Sequence, residues 1–499
     1  MFSHQSRRPT PHERGTFRAF RKRVPSKRSG VTMGFLTASQ IEQINHASLN
    51  LLESVGVRVD HPQVVERLVA AGAHSHGQGG HVRLPRRLVA ECIGTAPRNI
   101  RLADRRGGLA RVGADGGTVF WAGNALCIAR GRERREITSS DLAEFTRLLD
   151  ALEHVHGVVG TSINDYPPQV RDFVGFRILA ENSTKHLRPV IFTGNGPLAI
   201  IEMAEVIAGG IPLSDRPIVS FGYSIVSPFH WGRAAMELFV NTSGRGLPMM
   251  VNAEPLAGGT SPVTLAGALA QANAEALSGI VILQVLEPGR PCVFNLGFAH
   301  MLDMRSALAT SGRVQDALIA AAGAEIARHH GLPSASWISS DNFLCDEQSV
   351  LEKATTGMLH ALAGVNIIWG IGQLETEFTL SPEQAVIDNE LAGIFLRAQR
   401  GIEVTPETIA EQVVREGTKT GDFLTHEHTL THFRAEQIEG DLMALQRREA
   451  WEAAGRPTLG DRASAKVKEI LSRPQYPAVT PEQSAELRMI EGEWMKRLR

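Results

Sequence analysis

From Thr118 onward the chain alternates between short runs of apolar, β-branched or aromatic residues and longer stretches with helical spacing. The short runs fall at 118–121, 156–161, 189–193, 217–223, 248–253, 291–296, 334–338 and 366–371. Helical patterns lie at 139–152, 170–185, 199–208, 230–242, 262–286, 313–330, 347–363 and 382–400. Eight strand-then-helix units predict an α/β fold, a closed (β/α)8 TIM barrel over 118–435, rather than an open sheet. Several runs are entered through proline, as at Arg188-Pro189, Arg216-Pro217, Leu247-Pro248 and Arg290-Pro291, and a strand's first residue tolerates the missing N–H.

The unit from Pro248 to Gly279 is the clearest. Met249-Met250-Val251-Asn252-Ala253 has the length of a buried strand and stops at Glu254-Pro255 and a glycine turn. Ser261-Pro262 then supplies a helix cap and a proline at the first helical position, ahead of an Ala/Leu-rich helix. A carboxylate, glycines and hydroxyls therefore stand where the strand ends, the edge at which parallel barrels build their chemistry.

Flanking this core, residues 35–117 read as an α+β cap. Thr37 opens a helix with Ile41, Ile44, Ala47, Leu51 and Leu52 on one stripe, and a shorter helix from Pro62 ends at Gly72. Residues 436–499 read as a polar helical extension, with Trp451 as its anchor, packed outside the barrel or on a neighbouring subunit of a homo-oligomer. Residues 1–34 are rich in Arg and Lys without apolar periodicity, a disordered basic tail, and Met33 is expected to be the true start, with the segment before it an over-extended reading frame or a floppy tail.

Composition narrows the function classes. With 499 residues, 43% hydrophobic content and a formal net charge of -1, the chain can bury a large core and has no charge excess to attract nucleic acid. No apolar run is expected to span a bilayer, so a cytoplasmic protein handling small molecules is expected. Cys92, Cys127, Cys292 and Cys345 are isolated, which argues against a disulfide framework or a structural zinc site. No phosphate-binding glycine motif and no GxSxG elbow is present.

The positions just past each run collect Asn124, Asn195, Ser224, Glu254, Ser340, Asp341 and Gln373, a mouth rich in amides and hydroxyls with little charge. Glu254, Ser340 and Asp341 are the candidate catalytic groups, and Asn195 is a candidate substrate-facing amide. Trp121, Tyr223, Trp337 and Trp369 lie at the same ends in a chain with only 6% aromatic content, and with Glu254 they would form a cage for a quaternary ammonium. Ordinary barrel packing explains any one ring equally well; the group carries the reading. His426, His428 and His432 lie in HEHTLTH, where substrate-facing or structural histidines are expected rather than a metal site.

Four stretches in order, LTASQIEQINHASLNLLESVGVRVDHP, VRLPRRLVAECIGTAPRNIRLADR, EPLAGGTSPVTLAGALAQANAEALSG and FLTHEHTLTHFR, resemble the trimethylamine methyltransferase family, from Leu36 to the C-terminus. The resemblance implies a (β/α)8 barrel that moves a methyl group from a methylated amine to the cobalt of a corrinoid (cobalamin) held by a separate partner protein, with no metal of its own. Founding members carry pyrrolysine inside the barrel, in a region corresponding to SWISSDNFLCD around Trp337 to Asp346, and this sequence has none. That departure implies a glycine betaine-like quaternary amine rather than trimethylamine, since a quaternary nitrogen already bears the charge that makes it a leaving group. On this resemblance Trp121, Tyr223, Trp337 and Trp369 surround the ammonium, Glu254 balances its charge, and His426 or His428 holds a substrate carboxylate. Two other readings compete: a non-catalytic or regulatory homologue that binds a methylated amine, and a barrel lyase with Glu254 as base.

Overall fold

The computed structural model describes residues 32–497 except 77–78, 114–115, 438–439 and 441. The basic-tail expectation therefore lies almost wholly outside the described residues. Eight parallel strands form one sheet: β1 (Val119–Ala122), β2 (Val155–Val159), β3 (His186–Arg188), β4 (Phe221–Ser224), β5 (Met249–Asn252), β6 (Cys292–Gly297), β7 (Ser334–Trp337) and β8 (Ile367–Ile371). β8 pairs with β1, and a parallel bridge between Leu187 and Val219 joins β3 to the approach to β4, so the ring closes as a (β/α)8 barrel. Its outer layer comprises α1 (Ser139–Ala151), α2 (Arg171–Asn182), α3 (Gly196–Ala208), α4 (Arg233–Asn241), α5 (Leu265–Leu286), α6 (Val314–His329), α7 (Glu347–Ala363) and α8 (Pro382–Arg400).

Two local expectations are overturned, each by the backbone hydrogen-bond supply. The third strand is 186–188, not 189–193: Leu187 N donates to Ile218 O and Leu187 O accepts from Ser220 N, and the ladder stops where Pro189 has no N–H to give. Helix α5 starts at Leu265 with Thr264 at its N-cap, not at Ser261-Pro262. Ser261 N is already committed to Leu256 O, because the loop closes on itself and pairs Leu256–Ala257 with His300–Met301.

The cap uses the barrel as its support. The helix Ala38–Ser54, closed by a Thr37–Gln40 capping box, packs on α5, and a small sheet pairs Val57–Val59 with His81–Arg83 and with His230–Trp231 from the loop after β4. Helix α5 is long and apolar enough by composition to cross a bilayer, contrary to expectation, yet 89% of its most apolar window is buried between cap and strands. A hairpin, Asn99–Ala103 with Leu109–Gly113, lies across the strand starts: Ala103 N donates to Pro217 O and Asn366 Nδ2 to Gly113 O. At the other end of the chain, Leu459–Ser472 packs on α8 and α1, and Pro481–Arg497 packs on α3 and α2. The extension is anchored by buried Trp494, whose Nε1 donates to Glu202 at 2.8 Å, rather than by half-buried Trp451.

Behind β8 sits a fully buried ion pair, Lys353 Nζ to Asp388 Oδ2 at 2.5 Å, joining α7 to α8. Lys353 also donates to Gly370 O at 2.9 Å, and Asp388 accepts from Gly372 N at 2.7 Å. Both glycines have positive φ, 107° and 88°, so the pair clamps a kink at the end of β8 that sets where Trp369 points. Lys353→Met strands a buried carboxylate, and the expected cost is about 3–5 kcal/mol in urea unfolding, whereas joint replacement of Lys353 and Asp388 by Met and Leu costs less than either single change.

Candidate active site

Strand alternation turns every second residue of each barrel strand toward the axis, and the interior so built has two unlike halves. On the β7, β8 and β1 side are rings. Trp121 and Trp369 have centroids 5.0 Å apart, Trp337 stacks on Trp369 at 5.3 Å, and Phe298, just past β6, sits 4.5 Å from Trp337. Below them His186 stacks on Trp121 at 5.3 Å and bonds Ser220 Oγ at 2.8 Å. Trp337 Nε1 donates to Gln373, whose amide in turn donates to Asn124 O, so loops after β1, β7 and β8 share one brace. Trp121, Trp337 and Trp369 are thus brought together as anticipated, but as a packed stack that forms the floor of the site.

On the β4 to β6 side the lining is polar. Asn295 donates to Asn252 at 3.0 Å, Asn252 donates to Ser224 at 3.3 Å, and Ser224 Oγ donates to Glu254. Glu254 is open to solvent yet ringed by protein, as a group lining a recess must be. Enclosure pushes its pKa up to about 7, helped by the negative charge of Glu377 and opposed by the Ser224 hydrogen bond. His300 Nε2 stands 3.3 Å from Glu377 Oε1. Burial alone would lower the His300 pKa; Glu377, Asp316 and Glu254 outweigh it and carry it up to about 9. Glu375, Thr376 and Glu377 are consecutive non-glycine residues with φ of 55°, 45° and 77°, a strained turn that delivers the Glu377 carboxylate to the mouth.

Other expected site residues are turned away from the axis, engaged in loop contacts or set apart from the strand ends. Tyr223 pairs with Val251, which packs toward Gly279 of α5, so both face the helix layer rather than the axis; its phenol pKa is raised by burial and by the Glu254 charge. Ser340 Oγ donates to Glu352 at 2.6 Å. Asp341 is saturated by Ser311 N at 2.7 Å, Gly312 N, Thr376 Oγ1 and Arg313 Nε, which makes it a tie between loops. Asn195 is exposed at the start of α3. His426 and His428 belong to a segment docked where Arg397 and Arg400, at the far end of α8, meet Glu436, on the face of the barrel away from the mouth. Their partners there are Glu416 and the Glu407 carbonyl, so neither reaches the recess. Among the described residues no three or more His, Cys, Asp or Glu side chains converge to hold a metal.

The arrangement gathers a packed aromatic layer, a chain of amides and an ionisable rim at the strand ends of a barrel. A family model described as Trimethylamine methyltransferase (MTTB) matches residues 4–493. This chain belongs to the trimethylamine methyltransferase family. It is 30% identical over 473 residues to trimethylamine methyltransferase MttB of Desulfitobacterium hafniense (strain DSM 10664 / DCB-2), with 93% of this chain and 94% of that protein covered. It is 29% identical to trimethylamine methyltransferase MttB2 of Methanosarcina mazei, covering 90% and 93%. Against a glycine betaine methyltransferase of Desulfitobacterium hafniense (strain Y51) the identity is 27%, covering 91% and 95%. The crystal structure of the Methanosarcina barkeri monomethylamine methyltransferase MtmB superposes with a TM-score of 0.51 at 12% identity, covering 89% of this chain and 96% of that one, which establishes the shared fold.

Within this family member, sequence reasoning reached Phe298 as a strand-end position but passed over His300 and Glu377 as site groups. His300 was within reach, four residues past the sixth strand run, whereas Glu377 needs the strained turn to arrive. The linkage signs follow from the shifts. A carboxyl raised from 4.5 to about 7 loses stability as pH climbs between those values, and a histidine raised from 6.5 to about 9 does so between 6.5 and 9. Thermal unfolding of Glu254→Gln is therefore expected to decline less than the parent chain from pH 4.5 to 7, and that of His300→Gln less from pH 6.5 to 9; parallel profiles for parent and variants would remove the assignment.

Proposed function

We propose that the protein is a methyltransferase that moves a methyl group from a quaternary methylated amine, glycine betaine-like rather than trimethylamine, to the corrinoid of a partner protein. One observation carries the reading: Glu254, an accessible carboxylate at strand ends that also carry the packed rings of Trp121, Trp337 and Trp369, offers together with the nearby Glu377 a negative charge to a cation. The relative named as a glycine betaine methyltransferase and the absence of pyrrolysine support the quaternary substrate.

The partner's corrinoid supplies the Co(I) nucleophile. The C–N bond breaks, the methyl group passes to cobalt, and nitrogen keeps the electron pair and leaves as a neutral tertiary amine, so no proton need be delivered to it. This chain's residues bind, orient and desolvate: the tryptophan floor excludes water, Glu254 balances the ammonium, and Ser224 and Asn252 fix the carboxylate. Leu126, Val226, Met304, Phe343 and Phe378, large apolar side chains exposed on loops after β1, β4, β6, β7 and β8, suit the mouth to a protein partner. Exposed Ile402, Val404, Leu424 and Leu430 on the opposite side support self-association.

A second reading draws on the same carboxylate, since a pKa near 7 suits a general base in a lyase. Incubation of the chain with a Co(I) corrinoid protein and methylated amines separates the two. Loss of the Co(I) absorbance is expected with a quaternary amine, and Glu254→Gln is expected to lower kcat/KM by about 10–100-fold. Amine breakdown without the corrinoid protein would favour the lyase, and an unchanged variant would remove Glu254 from ammonium recognition.

A further inference from the structure

Arg188 is the last residue of β3, points into the barrel and is 6% exposed. Its guanidinium lies 5.4 Å from the Trp369 ring centre, Nη2 donates to Gly222 O at 2.9 Å and Nη1 donates to Pro189 O. Its Nε has no partner, and no carboxylate among the described residues pairs with it. The fold makes room for this: a Cβ on Gly222 would stand 2.8 Å from Nη2.

Other buried arginines of this chain are answered. Arg177 meets Glu181 and Glu491, and Arg290, fully enclosed, binds Leu247 O, Phe239 O, Thr242 Oγ1 and the nearby Glu287. A buried cation held by neutral carbonyls and a ring face, with one N–H spare, is costly unless an anion completes it. The ring that Arg188 lies over carries a second spare donor, since the Trp369 indole Nε1 is also buried and unpartnered. Enclosure has pulled the guanidinium pKa down to about 9, still charged at neutral pH.

We propose that Arg188, with the Trp369 indole N–H, is the carboxylate-binding group of the recess, so that the chain selects methylated amines carrying a carboxylate over those without one. The assignment rests on the methyl-transfer reading of the same recess and names the substrate class for it. The physics is complementary at both ends. A bare ammonium against Trp369 would meet the Arg188 charge, already seated there; a zwitterion places its carboxylate on Arg188 and its ammonium toward Glu254. His426 and His428, expected to hold that carboxylate, are replaced in this role by an arginine inside the barrel.

The test is calorimetric binding to the intact chain without a corrinoid protein, which separates recognition from turnover. Glycine betaine, carnitine and proline betaine are compared with tetramethylammonium and choline, and 3,3-dimethylbutyrate serves as a carboxylate isostere lacking the positive charge. The parent chain is expected to bind the best zwitterion at least about tenfold more tightly than the best carboxylate-free amine. Arg188→Gln is expected to bring that ratio near one and to abolish binding of the isostere, with Arg188→Lys in between because it keeps the charge but loses the planar fork. Circular dichroism establishes that each variant is folded, and the parent chain's own preference tests the proposal without any variant. No preference in the parent, or a preference that survives in folded Arg188→Gln, overturns the Arg188 assignment while methyl transfer from tetramethylammonium to a corrinoid protein would leave the functional reading standing. Failure of every probe to bind, together with no methyl transfer, overturns both.

Discussion

The volume inside an eight-stranded ring is the constraint to which the rest of the site answers. Three indoles, a phenyl ring and a guanidinium occupy one end of it, and they fit only because glycine stands at the points of closest approach. A Cβ on Gly157 would lie 2.7 Å from the Trp121 indole nitrogen, and one on Gly222 would lie 2.8 Å from the Arg188 guanidinium. The interior is consequently a filled layer with a recess above it, not a channel. Large side chains on β7, β8 and β1 are matched on β4, β5 and β6 by Gly222, Ser224, Asn252 and Asn295 beside Met250, and that asymmetry sets an aromatic side against a largely polar one.

Rigidity comes from behind the strands. Lys353 and Asp388 hold Gly370 and Gly372 in conformations that an ordinary strand would not adopt, and the ladder between β8 and β1 slips in register at that point. The brace from Trp337 through Gln373 to Asn124, and the saturated Asp341 tying three loops, extend the same support around the mouth. Ser340 and Asp341 are thus engaged in hydrogen bonds that tie these loops together. The groups free to act, Glu254, His300 and Glu377, sit where enclosure and mutual charge shift their proton affinities, a common property of sites that bind ions.

The charges of the recess form a pattern rather than a sum. Arg188 lies in the ring layer and Glu254 at the rim of the amide wall, with the His300–Glu377 pair beside it. On the proposed reading, two opposite charges at separate points of the site would suit a dipolar molecule, which pairs with both, better than a monopole, which satisfies one and opposes the other. The absence of pyrrolysine from the sequence and the unanswered arginine fit one another on this view, since a substrate whose leaving group is already activated needs anchoring more than activation.

Much of the architecture was legible in the chain itself. Hydrophobic alternation is a local property, and it specified eight strand-helix units, placed α7 and α8 to the residue, and put Glu254 just past the fifth strand. Kinship was legible too, through four ordered stretches. What only the tertiary structure decided is which side chains share a space. Register at β3 depends on a bridge to a residue 32 positions later, Leu187 to Val219, and a three-residue error there made Arg188 look like the entry to a strand when it is the inward-facing end of one. Tyr223 was lost to the recess by strand parity, and His426 and His428 by the direction in which α8 runs. These are non-local facts, set by closure of the ring, and no window of sequence contains them.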